Sequence, residues 1–111
     1  MRKLTGVIKC TGRTKIKNDS IVKIKAMECF YDRAPNILGS IVITHAKSFP
    51  ILFEILIDET PILKNYYDGF YLLSVSVEWK EKPIYANDGI SFVHQRLKLI
   101  LDKVDIELDE M

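Results

Sequence analysis

The sequence predicts an all-β fold, in which two antiparallel sheets pack face to face as an immunoglobulin-like sandwich of about seven to eight strands. Three observations lead there. Apolar and polar residues alternate with period 2 over most of the chain, turn-forming residues interrupt that alternation roughly every 8 to 14 residues, and no apolar period of 3.6 runs long enough for a stable helix. At 111 residues the chain is one domain.

The densest alternation, over residues 49–79, organises the rest. Phe53, Ile55 and Ile57 alternate with Glu54 and Leu56, and Tyr71, Leu73, Val75, Val77 and Trp79 alternate with Leu72, Ser74, Ser76 and Glu78. These are two half-buried strands. Between them, residues 58–69 carry Pro61, Asn65, Asp68 and Gly69, which fix φ, tolerate φ > 0 or bond to their own backbone, so a loop is expected.

Taken in order, residues 4–11 read as a strand with Leu4, Ile8 and Cys10 on one face and Lys3, Thr5, Val7 and Lys9 on the wet one. A polar loop at 12–19 leads to a strand at 20–29, where Val22, Ile24 and Ala26 oppose Lys23 and Lys25. Matching alternation suggests that these two strands form a basic-faced hairpin. In that register Cys10 faces Ser20 and lies more than about 25 Å along the ribbon from Cys29, which predicts two free thiols. Pro35 makes residues 30–36 a bridge, since proline lacks a ladder donor. A third strand spans 37–45, with Ile41 and Ile43 against Val42 and Thr44. After Trp79 come a turn at 80–82, a short strand at 83–86 and a breaker at Asn87-Asp88-Gly89. Residues 90–95 suit at most one helical turn. The last strand, 95–101, points Leu97, Leu99 and Leu101 inward; parity then shifts, so that Val104, Ile106 and Leu108 alternate after a break near Asp102-Lys103.

Hydrophobic residues at 48% and charged residues at 28% describe a chain that folds alone. A net charge of +1 argues against a nucleic-acid partner. The charge is uneven: Arg2, Lys3, Lys9, Arg13, Lys15, Lys17, Lys23 and Lys25 meet the single acid Asp19 in the first 25 residues, whereas Asp102, Asp105, Glu107, Asp109 and Glu110 outweigh Lys103 at the end. The simplest reading is two oppositely charged, solvated strands that attract one another. No apolar run is long enough to span a membrane. The opening residues, interrupted by Lys9 and two glycines, lack a signal peptide's apolar segment; Met1 is then a cytosolic start, or an export segment has been removed and the domain is periplasmic or outer-membrane-associated.

The chemistry expected is small. His45 and His94 have no Cys or Glu at ligand spacing, so no metal site is predicted. No phosphate-binding glycine loop or nucleophile elbow occurs, and no catalytic residue or cofactor is assigned. Cys10 has no base in reach, and Glu28 beside Cys29 would raise that thiol's pKa. Glu54 and Glu78 fall on outer faces as solvated acids. Phe30, Tyr31, Tyr66 and Tyr67 lie in predicted loops, where tyrosines are frequent partner contacts. With the strand at 83–86 read as a poorly guarded edge, Tyr66, Tyr67 and Tyr85 form the candidate partner-binding group.

Several segments occur together in an order that resembles a known family. They are Gly6, Arg13, NDSIVKIKAME at 18–28, DRAP at 32–35, FPILFEILID at 49–58, YLLSVSV at 71–77 and PIYAND at 83–88. This text is similar to the bacterial lipoprotein YbaY and the type III secretion pilotin YscW, over about 6–90. The resemblance implies a β-sandwich without enzyme activity and, in the pilotin branch, binding of a secretin's C-terminal segment as a chaperone. The leading expectation is a protein- or peptide-binding module. A small-ligand carrier with a closed pocket is the alternative, and an enzyme using Asp32, Asp58 or Asp88 a third.

Overall fold

The computed structural model describes residues 1–63, 70–94 and 99–111. Its strands, in chain order, are β1 (Arg2–Lys9), β2 (Ile21–Cys29), β3 (Asn36–Ile43), β4 (Ile51–Ile57), β5 (Phe70–Trp79), β6 (Lys82–Ala86), β7 (Ile90–Ser91), β8 (Val93–His94), β9 (Leu99–Ile100), β10 (Lys103–Glu107) and β11 (Asp109–Glu110). One helical turn, α1 (Thr60–Leu63), lies in the expected loop after β4. Two sheets carry the fold, one ordered β10-β1-β4 and the other β11-β6-β5-β2-β3, with β7 also on β5 and β8-β9 a separate ribbon. The fold is an all-β sandwich.

Alternation places the core faces of β1, β2, β4 and β5 where the sequence predicts them. Leu4 and Ile8 of β1, Val22, Ile24 and Ala26 of β2, Phe53, Ile55 and Ile57 of β4, and Tyr71, Leu73, Val75 and Val77 of β5 are all buried. One apolar face per strand fixes this, because a one-residue slip would turn the whole row to water. Gly6 is required by close packing: a Cβ there would lie 2.4 Å from the Phe53 ring, its cross-strand partner.

Strand pairing departs from the sequence reading in three places. β1 and β2 form no hairpin; they belong to opposite sheets and bury their apolar faces against the same core. The long connection crosses the sandwich end, where Ile16 is buried and Lys15 bridges to Ser48. The basic hairpin does not exist, although both thiols are free. Second, β1 pairs in parallel with β10, Thr5 opposite Lys103 through Lys9 opposite Glu107. The opposite charges do meet: Arg2 pairs with Asp102 at 3.0 Å, Arg13 with Glu110 at 2.6 Å, and the Thr11 hydroxyl donates to Glu107. Third, Ile90–Ser91 and Val93–His94 are strand, not helical turn, and Ile100 rather than Leu99 faces inward. The β8–β9 register, Val93 opposite Ile100, dictates that parity, and Leu97 lies outside the described residues.

Turn chemistry accounts for the remaining links. Lys80 and Glu81 both adopt positive φ, 50° and 67°, closing β5 on β6 in a two-residue turn whose twist suits a hairpin. Asn87 does more than break a strand. Its Nδ2 donates to the Leu73 carbonyl at 3.1 Å and its Oδ1 accepts from the Val75 N–H at 2.9 Å, satisfying β5 in the gap between β6 and β7. Among the described residues no helix is long and apolar enough to cross a membrane.

Candidate functional site

Each of the two large sheets ends in two edge strands, and the four are guarded very differently. β10 carries Lys103, Asp105 and Glu107, and β11 is Asp109-Glu110. β3, by contrast, reads NILGSIVI without a charge or proline, and β4 reads ILFEILI with Glu54 its single charge. Edges normally carry charges, prolines or bulges that discourage a further strand. β3 and β4 are the least charged pair, and a register shift across from Ala26 and Met27 is the one such guard on β3.

The two run beside each other at the junction of the sheets. The Asp58 N–H donates to the Leu38 carbonyl at 2.9 Å, the backbone bond that ties the end of β4 to β3 among the described residues. Next to it Gly39 is forced by proximity, since a Cβ would stand 2.4 Å from the Leu56 carbonyl oxygen. Around this pinch lies an open groove of about 660 Å³, lined by Leu38, Gly39, Ser40, Ile41, Glu54 and Leu56 with Met1 and Lys3. Ile41 and Ile43 have inward parity yet stay partly exposed, because sheet β10-β1-β4 ends before covering them. Val42 is 59%, Leu56 54% and Leu52 75% exposed.

Charges flank the groove on one side. Lys3 and Glu54 pair at 2.7 Å, and the ionised carboxylate raises the lysine pKa. On β2 the outward lysines adjoin β3: Lys23 lies opposite Val42 and Lys25 opposite Ser40. Lys23 is engaged by Glu78 at 2.7 Å, but Lys25 sits between Ser40 and Ser74 and makes no ion pair among the described residues. Glu54 and Glu78 are thus solvated ion-pair members, as their parity implied.

The sequence-predicted contact residues lie elsewhere. β6 is not a free edge: Tyr85 pairs with Glu110 and Ala86 with Asp109 of β11 on one side, and β5 holds the other. Tyr85 itself is buried, its ring edge-on to Phe49 at 5.5 Å. Tyr66 and Tyr67 lie outside the described residues. Of the loop aromatics, Tyr31 is 87% exposed and meets the half-exposed Phe70 edge-on at 5.2 Å, and the Arg33 guanidinium covers Phe30 at 3.8 Å.

Three groups considered for chemistry have structural roles or stand exposed. Asp58 Oδ1 accepts from the Thr60 N–H at 3.0 Å at the start of α1, which holds its carboxyl below the usual carboxylate range. Asp32 and Asp88 are exposed in loops. Burial pushes the Cys10 and Cys29 thiols up; Glu107 adds to this at Cys10, and desolvation, not Glu28, is the cause at Cys29. Sequence reading missed Glu28 itself, buried at the end of the row Val22, Ile24, Ala26, where Asn36 Nδ2 donates to it at 3.1 Å and the Tyr71 hydroxyl at 3.3 Å. Its even parity was the available signal. Among the described residues no group of three or more His, Cys, Asp and Glu could hold a metal.

Compared with solved structures, this fold has a counterpart. The fold resembles that of a bacterial secretion pilotin. The chain is similar to an alternative pilotin from the type II secretion system of Vibrio cholerae, with a TM-score of 0.80 and 14% identity over 99% of this chain and 96% of that one. No protein-family model matches the sequence, and no curated protein sequence does.

Proposed function

We propose that this domain is a non-catalytic, chaperone-like module that binds a protein partner in the manner of a pilotin, the partner being a secretin-like subunit. The observation that carries the reading is the likeness to a pilotin fold, which covers 99% of this chain and 96% of that one. The YbaY/YscW resemblance of the sequence points the same way. The sparsely charged β3 and β4 edges supply a surface such a module needs, and their groove is open rather than the closed pocket a small-ligand carrier would require.

The test is direct binding of the C-terminal segment of a secretin from the same host, measured by titration calorimetry with a scrambled segment as control. Saturable binding of the native segment alone supports the function. Equal heats from both peptides, or none from either, remove it. Tyr66→Ser/Tyr67→Ser, run in parallel, decides whether those tyrosines add contact area.

A further inference from the structure

We propose that the β3 edge accepts an extended segment of the partner by strand addition, and that this segment is acidic, with apolar side chains at alternate positions. This rests on the partner-binding reading and adds the partner's local chemistry. Backbone comes first. β3 pairs only with β2 among the described strands; β4 occupies its outer edge at Leu38 and Gly39, and beyond that pinch residues 40–43 carry no charge, proline or bulge against another strand. An added strand would continue the sheet about 4.8 Å beyond β3. Its alternate side chains would lie over Ile41 and Leu56, which are apolar and incompletely covered.

Charge then selects the segment. The outward side chains of the added strand would stand beside Ser40 and Val42, one strand away from Lys25 and Lys23. Ser40 is too short to screen Lys25, whose other neighbour is Ser74, so its ammonium is free to reach an acid across β3. Lys23 is already matched by Glu78 and Lys3 by Glu54. Among the described residues the unmatched charge at this edge is therefore positive. The same molecule contains a strand of this pattern: β10, with Val104 and Ile106 buried and Asp105 and Glu107 outward, adds to β1 with Asp105 opposite Val7 and Glu107 opposite Lys9. An alternating strand with outward acids is how this chain closes its own first sheet.

The test tethers such a segment to the intact chain. A segment of about seven residues alternating valine with glutamate is joined ahead of Met1, which lines the groove, through a glycine-serine linker that keeps its local concentration near millimolar. Amide hydrogen exchange is read along β3. The expected result is at least about tenfold slower exchange at Ser40, Val42 or their neighbours than in the untethered chain, an effect reduced by lysine in place of glutamate and restored for the lysine segment by Lys25→Glu. Unchanged β3 exchange overturns strand addition, and equal protection by both segments overturns the acidic preference. Protection confined to β1, from a segment that displaces β10, also overturns it. Loss of secretin-segment binding with β3 protection intact refutes the partner-binding reading instead, so the two failures are separable.

Discussion

Gly39→Ala tests the junction between the sheets. Gly39 does not have a positive φ, so its reason for being glycine is space: an added Cβ would meet the Leu56 oxygen at 2.4 Å, its carbon at 3.4 Å and the Ile57 Cα at 3.5 Å. All three are backbone atoms, which no rotamer change can move. Relief requires β3 and β4 to separate by several tenths of an ångström, straining the Asp58 N–H to Leu38 carbonyl bond. Overpacking of this kind costs about 1–3 kcal/mol, and restricting the unfolded chain returns about 0.4–1 kcal/mol, leaving a net loss of roughly 1–2 kcal/mol. Urea unfolding should show a lower midpoint at unchanged slope, and the Asp58 amide should exchange faster. Gly6→Ala provides the contrast, because its clash is with the Phe53 ring. Trimming that ring in Gly6→Ala/Phe53→Leu should recover part of the loss, whereas Gly39→Ala/Leu56→Ala should recover none. An unchanged Gly39→Ala midpoint, or recovery by trimming Leu56, would refute the argument that backbones meet there.

Phe53→Ala removes a buried ring from the centre of β4 and should cost about 3–5 kcal/mol in urea unfolding; an unaltered midpoint would contradict its place in the core. Cys10 and Cys29 should count as two thiols when the unreduced protein is titrated in denaturant, and burial should make Cys10 slow to alkylate in the native state; a count of zero would mean the two sulfurs are joined. The Asp58 carboxyl is depressed in the folded chain, so its stabilising effect exists above the unfolded carboxylate pKa of about 3.9 and is lost as pH falls through the folded value. The stability gap between wild type and Asp58→Ala should be present at about pH 6 and close near pH 2; a gap independent of pH would mean the contact does not depend on charge.

Which face of each strand is buried was legible because that information is local. Val22, Ile24 and Ala26, or Tyr71, Leu73, Val75 and Val77, announce their shared side by parity alone. Which strand lies beside which was not legible, since a facing strand across the core and a neighbour in the sheet show the same alternation. That ambiguity produced the β1–β2 hairpin and hid the pairing of β1 with β10, nearly the whole chain away. The candidate site suffered the same way. The uncharged run NILGSIVI was plain to see, but an uncharged strand is ordinary in the middle of a sheet and unusual only at its rim. Conversely, the 83–86 strand looked open until β11, two residues at the far end of the chain, covered it.

The asymmetry among the four edges is the strongest physical reason to expect a partner. The C-terminal segment spends its last residues closing one side of the sandwich: β10 extends the first sheet, Leu108 is buried at the crossing, and β11 extends the second. Both strands so placed are charged, and their outer rims are protected. Nothing comparable among the described residues closes the side formed by β3 and β4, where the sheets touch at Leu38 and Asp58 and leave Ile41, Val42 and Leu56 in contact with water. Two features restrain that edge without blocking it. The register shift opposite Ala26 and Met27 twists the start of β3, and Gly39 holds its middle against β4. Self-association through such an edge is a hazard unless something else occupies it. Lys25 does little against a second copy, because two β3 edges brought together would hold their lysines three strand spacings, about 14 Å, apart, beyond the screening length of ordinary salt. An acidic segment added to β3 would lie only two spacings, about 10 Å, from the β2 backbone, a distance the extended Lys25 side chain spans together with an acid's own, so that residue favours the proposed occupant over a second copy, which brings no acid to it.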